Sequence, residues 1–323
     1  MPLSRNDVVL AYRYILGREP GNERVIEEHR AAHPTIEALR MVFLDSEELR
    51  RQVGAGPAAP QLAATLPLDA PPLEIETQTD PATLAAVVAE TSRYWESIGE
   101  TAPHWSVITA EEFGPDQIAA NEARFFASAE VDRRLLVGLL ARIDRRPDQF
   151  RRLVEFGCGV GRMTAQFAPL FKEVVGLDIS RPHLRLAEQT MARFGHRNVR
   201  FVHVTAADLH PVAGFDLWFS RIVLQHNPPP VIMHILDLMF RRLEPGGITI
   251  FQVPTYQAGY RFDIGAYLRG DLGARLEMHV VPQRAVLELG YRHRCRLLDL
   301  REDTGVVSQT PDWLSNTFVF QKD

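Results

Sequence analysis

The sequence has little cysteine and no long apolar segment. Its two cysteines, Cys158 and Cys295, occur in a chain that is long enough to need no disulfide staple. No apolar leader follows Met1, and no apolar run approaches the roughly 18 residues of a membrane-spanning helix. We therefore expect no membrane span and a reducing, cytoplasmic setting.

Lysine is almost absent, because only Lys172 and Lys322 are lysines among the 36 Lys and Arg residues. Usage this lopsided is typical of codon bias, so no arginine is taken as functional for its type alone. The formal net charge is −5. Nucleic-acid binding needs a concentrated basic face, so this acidic excess argues against nucleic acid as a partner.

Composition and length describe an ordinary globular chain of 323 residues with 46% hydrophobic and 24% charged residues. Such values exclude wholesale disorder and fibrous repeats, and the length predicts about two domains. The pattern along the chain predicts a helical module over 1–53, a Pro/Ala-rich linker over 54–80, a helical lead-in over 81–150 and an α/β domain over 151–323.

Residues 1–53 predict a small all-α module. Ser4 and Asp7 have the spacing of a capping box, and Gly17 is placed to end the first helix. The predicted inner face of that helix carries Val8, Tyr12, Ile15 and Leu16. A second helix is predicted over about 22–32. A third begins at Thr35, with Leu39, Val42 and Phe43 turned inward.

The next two segments differ sharply in composition. Residues 54–80 contain five prolines, many alanines and neither Lys nor Arg, which predicts a semi-extended linker that cannot fold alone. Helical patterns then cover about 82–98, 115–127 and 129–143. These helices form the lead-in to the first convincing strand.

From Arg152 onward, short β-branched runs alternate with amphipathic helices. Strands are predicted at 153–156, 173–177, 199–204, 215–219 and 248–253, followed by a helix at about 282–290 and two further strands at 294–300 and 317–321. The sequence Pro-Gly-Gly at 245–247 is expected to stop the helix before the fifth strand. This alternation predicts a parallel sheet with helices on both faces.

A glycine-rich turn directly follows the first strand. Residues 155–162 read EFGCGVGR, and a helix begins at about Met163. Alternate glycines allow a sharp turn and the close approach of a ligand to backbone amides. Dinucleotide folds use G-x-G-x-x-G, whereas this spacing is G-x-G-x-G. Glu155 would repel a pyrophosphate and would face the α-amino group of an amino-acid-like ligand, so the loop favours a methionine-derived cofactor over NAD.

Polar residues end the next three strands. Asp178 can accept both hydroxyls of a ribose, and Asp208 is placed to accept from an adenine amine. Ser220 and Arg221 are expected to lie beneath the methionine part of the ligand.

Together these features resemble the class I S-adenosylmethionine-dependent methyltransferases over about residues 150–323. The resemblance implies a Rossmann-like seven-stranded sheet in the order 3-2-1-4-5-7-6 with its last strand antiparallel, and lead-in helices that act as a lid. The cofactor S-adenosylmethionine, leaving as S-adenosylhomocysteine, would be bound by Glu155, Gly157, Cys158, Gly159, Gly161, Arg162, Asp178, Ile179, Ala207, Asp208, Ser220 and Arg221.

Each of these assignments has a structural alternative. The glycines can form a mere tight turn, Asp178 can cap the helix that follows Ser180, and Asp208 can cap a loop. Cys158 fits a small space-filling residue whose backbone is what matters, rather than a reactive thiol.

Transfer to a hydroxyl requires removal of a proton, and it does not in principle require a metal, so no metal site is expected. His226 and His279 are the candidate bases, in loops after the fourth and fifth strands. The alternatives are a packing or hydrogen-bonding role for His226 and a solvated loop position for His279. Trp105 and Tyr256 are candidates for the acceptor pocket, with core packing as the alternative.

The motif YRYILGREP at 12–20, followed by FLDSEE at 43–48, resembles a bacterial domain of unknown function attached to surface-polysaccharide enzymes. We expect this module to be a docking or packing appendage without chemistry of its own, which can contact a protein partner or a second copy of the chain. The resemblance favours O-methylation of a saccharide or surface-glycan precursor. A small secondary metabolite is the alternative acceptor, and a non-catalytic cofactor-binding scaffold is the alternative from another class.

Overall fold

The computed structural model describes residues 3–16, 18–44, 46, 48, 71–270, 277–304 and 312–323. The chain divides into two compact units, Met1–Thr65 and Leu66–Asp323. Within the described residues, no helix is both long enough and apolar enough to cross a membrane.

The first unit is a set of three helices, α1 (Arg5–Ile15), α2 (Glu23–Ala32) and α3 (Ile36–Leu44). The predicted capping box is present, since the Asp7 amide donates to Ser4 Oγ (3.2 Å) and the Ser4 amide donates to Asp7 Oδ2 (2.8 Å). Leu39 and Phe43 are buried as predicted, but Val42 is 45% exposed, so its inward assignment was wrong. Gly17, Asp45 and Glu47 lie outside the described residues.

The second unit starts its described part within the predicted linker. A two-residue strand, β1 (Glu74–Ile75), pairs in parallel with β7 (Arg261–Phe262). Two residues of the predicted linker therefore pair with another strand, while residues 54–70 lie outside the described part of the chain. The bounds of the linker stay a prediction.

The lead-in is helical, as its periodicity predicts. It comprises α4 (Pro81–Thr101), α5 (Pro103–Val107), α6 (Ile118–Ala127) and α7 (Glu130–Arg142). Asp80 caps α4 by accepting from the amides of Ala82 and Thr83, both at 3.0 Å.

The remaining elements form the predicted seven-stranded sheet. Its strands are β2 (Arg152–Phe156), β3 (Glu173–Asp178), β4 (Val199–His203), β5 (Phe215–Ser220), β6 (Leu243–Gln257), β8 (Cys295–Glu302) and β9 (Trp313–Lys322). Its helices are α8 (Arg162–Phe167), α9 (Arg181–Phe194), α10 (Pro229–Arg242), α11 (Ile264–Arg269) and α12 (Gln283–Arg292). The strand order is β4-β3-β2-β5-β6-β9-β8, and β9 runs antiparallel to both neighbours. This is the predicted order 3-2-1-4-5-7-6.

Strand β6 is longer than predicted. It begins at Leu243, directly after α10, and runs through the Pro-Gly-Gly sequence to Gln257. The pairing with β5 jumps from Phe215–Leu243 to Leu217–Ile248, so the extra residues form an irregular bulge. The Pro-Gly-Gly sequence therefore lies inside β6, where it interrupts the pairing with β5.

The sheet separates two hydrophobic cores. Consecutive strand residues point to opposite faces, so Leu153 packs in one core and Val154 in the other. One core includes Trp218 and residues of α4, α10 and α12. The other includes Phe219 and residues of α7 and α8. Helices cover both faces of the sheet, and the carboxyl ends of its parallel strands meet at one edge. The candidate site lies at that edge.

Candidate active site

The glycine loop between β2 and α8 has the conformation that its sequence predicts. Gly157, Gly159 and Gly161 have φ values of +76°, +52° and +79°, which L-residues with a Cβ rarely adopt. The amides of Gly157 and Cys158 both donate to the Leu177 carbonyl, at 2.7 and 3.0 Å. The turn is therefore held against the end of β3.

Two valine side chains occupy the space that these glycines leave. A Cβ on Gly159 would meet Val107 of α5 at 2.7 Å, and one on Gly157 would collide with Val223. The lead-in helix α5 therefore lies directly on the glycine loop. The lid role of the lead-in helices stays a prediction.

A cavity of about 510 Å³ opens beside the loop, at the carboxyl ends of the parallel strands. Its walls include eight residues that the sequence predicts for the site: Gly157, Cys158, Gly159, Arg162, Asp178, Ile179, Arg221 and His226. A cavity of this size is in the range that accommodates a nucleoside-sized ligand.

Asp178 lies on the cavity wall and is held by the backbone. Its Oδ2 accepts from the Gly159 amide (2.8 Å), and its Oδ1 accepts from the Ser180 amide (2.9 Å). Helix α9 is capped by Ser180, so the helix-cap alternative for Asp178 is not what the structure shows. Each carboxylate oxygen keeps a second lone pair for a ligand hydroxyl.

Glu155 does not face the cavity, contrary to the prediction. Its side chain is fully buried and its Oε2 accepts from Thr164 Oγ1 of α8 (2.6 Å). Strand residues alternate in direction, and here the next residue, Phe156, reaches the cavity instead. Burial raises the pKa of Glu155 to about 8, which favours an uncharged acid at neutral pH.

Asp208 is also turned away from the cavity. Its carboxylate accepts from Arg242 Nη1 (2.8 Å) and from the His210 amide (3.0 Å), and the Arg242 guanidinium lowers its pKa. Asp208 thus makes the contact of the loop-capping alternative, and it is not part of the cavity wall. At this position Val204 and Leu209 form the wall.

Three other predicted cofactor residues do not line the cavity. Ala207 is exposed at the surface beside Asp208. Ser220 is buried, and its Oγ donates to the Phe156 carbonyl (3.0 Å). Gly161 begins α8 beneath the loop, where a Cβ would lie 3.3 Å from Ala187. These residues shape the loop and strand ends without forming the wall.

Arg162 and Arg221 converge on a buried aspartate that the sequence analysis missed. Asp132 of α7 accepts from Arg162 Nη2 and from Arg221 Nη1, both at 2.7 Å. All three side chains border the cavity, and neither Nε atom has a hydrogen-bond partner among the described residues. Asp303 lies 3.6 Å from Arg221 Nε. Arg162 Nε is thus a buried donor without a hydrogen-bond partner among the described residues.

His226 is the predicted base that the structure places at the cavity. Its Nδ1 lies 2.8 Å from the Glu277 carbonyl oxygen, and its ring packs edge-on against Trp95, with 5.8 Å between ring centroids. Burial lowers the pKa of His226 to about 4. The imidazole is therefore neutral at ordinary pH.

His279, the other candidate base, does not line this cavity and lies in a different concavity. Its Nδ1 lies 2.7 Å from Tyr260 Oη, and its Nε2 lies 3.0 Å from Glu277 Oε2. Both ring nitrogens are engaged, which leaves His279 no free base atom.

Neither of the two aromatic candidates for the acceptor pocket lines the cavity. Trp105 is half-buried in α5 but is not part of the cavity wall, and Tyr256 donates to the Pro71 carbonyl at 3.4 Å. Trp95 of α4 lines the cavity instead. Trp95 lies ten residues before Trp105 on a different helix, and only the tertiary packing of α4 distinguishes the two.

Another missed pair links the lead-in to the cavity. Ser106 Oγ lies 2.8 Å from His183 Nε2, and both residues border the cavity. His183 Nδ1 is buried and has no hydrogen-bond partner among the described residues. No local sequence signal identifies this pair, because 77 positions separate them.

Part of the second unit is similar to known proteins. Residues 153–247 match the family described as "Methyltransferase domain". The chain is 34% identical over 119 residues to a trans-aconitate 2-methyltransferase of Deinococcus radiodurans, covering 36% of this chain and 42% of that protein. It is 32% identical over 178 residues to a ubiquinone biosynthesis O-methyltransferase of Cereibacter sphaeroides, covering 53% and 62%. The chain thus spans about two fifths of the length of the first of these relatives.

The fold agrees with this identification. The structure of magnesium protoporphyrin IX methyltransferase from Synechocystis, solved with bound S-adenosylhomocysteine, superposes with a TM-score of 0.50 at 16% identity, over 73% of this chain and 99% of that one. The C-terminal part of the chain therefore contains a class I S-adenosylmethionine-dependent methyltransferase domain.

Proposed function

We propose that this protein transfers a methyl group from S-adenosylmethionine to a hydroxyl of a small acceptor, a saccharide or surface-glycan precursor. The observation that carries the proposal is the cavity itself, which brings the glycine loop, Asp178 and a neutral His226 to one edge of the sheet. A sulfonium cofactor supplies an already activated methyl group when bound.

The residues present fit such a cofactor. Asp178 presents a backbone-held carboxylate to ribose hydroxyls. Val204 and Leu209 offer an apolar wall to an adenine ring. Arg162 Nε, buried without a hydrogen-bond partner, suits the carboxylate of an amino-acid moiety. The polar and apolar requirements of the cofactor are thus met on separate parts of the wall.

His226 is the residue proposed to accept the proton of the acceptor hydroxyl. Since its Nδ1 faces a carbonyl, that nitrogen carries the proton and Nε2 keeps a lone pair. Val107 and Trp95 cover the cavity from the lead-in side and limit access of water. Positioning, water exclusion and proton acceptance are the three tasks that transfer to a hydroxyl demands.

The saccharide acceptor rests on the N-terminal unit. Residues 12–20 and 43–48 resemble the module carried by surface-polysaccharide enzymes, and we propose that the unit is a docking appendage for a partner protein or a second copy.

One experiment tests both levels of the proposal. The full chain is incubated with methyl-labelled S-adenosylmethionine and separate glycolipid, oligosaccharide and small-molecule fractions of a bacterial extract. Label in the glycolipid or oligosaccharide fraction is the expected result. Label in the small-molecule fraction alone would replace the acceptor class. If no fraction takes up label while S-adenosylhomocysteine still binds, the chain is a cofactor-binding scaffold.

A further inference from the structure

A second concavity, the Tyr260–Glu277 groove, opens next to the cofactor cavity. It encloses about 450 Å³ and its walls include Tyr260, Phe262, Tyr267, Glu277 and His279. Met278 borders both the groove and the cofactor cavity. The Glu277 carbonyl is also the partner of His226. The groove is therefore adjacent to the position where an acceptor would react.

Hydrogen bonds hold the groove in a fixed shape. Tyr260 Oη contacts His279 Nδ1 (2.7 Å), His279 Nε2 contacts Glu277 Oε2 (3.0 Å), and Tyr267 Oη donates to the same carboxylate oxygen (2.7 Å). The Phe262 and His279 rings pack edge-on with centroids 5.6 Å apart. Rings locked in this way form a preorganised surface, which lowers the entropic cost of binding a flat ligand.

Among the described residues, the charged groups around the groove are mainly carboxylates. Glu277 and Asp263 lie on its wall. Arg261, on the same wall, is paired with Glu74 Oε2 at 2.5 Å. Arg269 lies near Asp263, since its Nη1 and Asp263 Oδ1 are each 3.3 Å from the position of a Cβ on Gly265. Glu76 contributes another carboxylate nearby, where its Oε2 accepts from the Ile264 amide (2.7 Å). A carboxylate or phosphate entering here would meet acidic groups and a cation that is already engaged.

We propose that the groove binds the part of the acceptor beyond its reacting hydroxyl, and that this part is an uncharged ring bearing hydroxyl groups. The inference rests on the proposed methyl transfer. The tyrosine and phenylalanine rings offer faces and edges for an aromatic ring or for the C–H face of a pyranose. The Glu277 carboxylate and the tyrosine oxygens accept hydrogen bonds from ring hydroxyls. A pyranose and a phenol share this chemistry.

The test uses saturation-transfer NMR on the full chain loaded with S-adenosylhomocysteine. Methyl α-D-glucopyranoside, catechol and trans-aconitate are examined in separate samples. Ala266 is exposed on the groove wall, so Ala266→Trp fills the groove without disturbing a core. Ala120→Trp, at an exposed position on α6, is the matched control.

We expect saturation transfer to the ring protons of the pyranoside or of catechol. The compound that responds shows whether the groove binds a pyranose or a phenol. The signal should fall at least fivefold in Ala266→Trp and stay unchanged in Ala120→Trp. A response from trans-aconitate alone, silence from both neutral rings, or a signal that survives Ala266→Trp would overturn the assignment. Calorimetry with S-adenosylhomocysteine on the same samples separates the two proposals. Normal cofactor binding with silent rings refutes the groove alone, and failure to bind the cofactor refutes both.

Discussion

His226 donates its Nδ1 proton to the backbone carbonyl of Glu277, 2.8 Å away. A carbonyl oxygen can only accept, so this contact fixes the tautomer and leaves the Nε2 lone pair free. The same ring lines the cofactor cavity. A main-chain contact across 51 positions thus sets the protonation of a side chain in the site.

Replacing His226 with alanine should lower turnover about 10²–10⁴-fold, the usual contribution of a positioned base. Affinity for S-adenosylhomocysteine, measured by calorimetry, should change little. His234→Ala, on α10 and away from the cavity wall, is the control and should keep full activity. Equal rates in wild type and His226→Ala would show that positioning alone drives the transfer.

The pH dependence of the wild type follows from the same histidine. Because burial lowers its pKa to about 4, the neutral, proton-accepting form dominates at higher pH. We expect kcat/KM to be flat from about pH 5 upward with respect to this group and to fall as pH drops through about 4. A single ascending limb centred near the ordinary pKa of histidine would contradict this assignment.

Replacing Asp178 with alanine should weaken S-adenosylhomocysteine binding by about 1–3 kcal/mol, the cost of losing charge-assisted hydrogen bonds at an enclosed site. In affinity this is about 5- to 150-fold. Calorimetry measures the change directly, and Asp116→Ala, at an exposed position, serves as the control. An unchanged affinity would mean that the ribose lies elsewhere.

Asp132 is expected to matter for stability as well as binding. Asp132→Asn leaves two buried guanidinium groups without their shared carboxylate and should cost about 3–5 kcal/mol of unfolding free energy. Urea denaturation checks this. Glu130→Gln, which breaks a surface pair with Arg133, should leave the unfolding free energy nearly unchanged.

A triple variant separates the two roles of this cluster. Replacing Asp132 with leucine and both arginines with methionine removes every buried charge of the triad, so it should recover most of the lost stability. It should not recover affinity for S-adenosylhomocysteine, because the cationic donor is gone. Cofactor binding at wild-type strength in this variant would refute the proposed carboxylate contact.

The fold and the glycine loop could be predicted because their signals are local. Alternate glycines after an apolar strand dictate the turn at Gly157 and Gly159, and Asp178 follows the next strand at once. The strand order came from the family resemblance and is confirmed. The start of β6 could not be predicted, because Pro245 and its two glycines usually end an element. Here Leu243 pairs with Phe215 of β5 before the ladder resumes at Ile248.

Side-chain direction and long-range partners account for the errors at the site. Glu155 and Phe156 are neighbours on one strand, and which of the two faces the cavity depends on how α8 packs against the sheet. The sequence assigned Asp208 to the cavity, but its carboxylate is paired with Arg242, which lies 34 positions away. Asp132 was missed because its partners lie 30 and 89 positions along the chain. Such contacts arise from tertiary packing and leave no local pattern.

Glu155 should make the protein less stable as pH rises. Burial raises its pKa from 4.5 to about 8, so between these values the folded chain keeps a proton that the unfolded chain releases. The contribution of this proton to folding stability is fully present below about pH 4.5, is lost progressively as pH rises to about 8, and is then constant.

Glu155→Gln keeps the size of the side chain and an acceptor for Thr164 but cannot titrate. The unfolding free energy of this variant, measured in urea at pH 5, 6.5 and 8, should therefore fall less than that of the wild type, with the gap widening by up to about 1.4 kcal/mol per pH unit. Glu188→Gln, at an exposed position on α9, should follow the wild-type curve. Parallel curves for wild type and Glu155→Gln would show that this carboxyl group is ionised inside the fold.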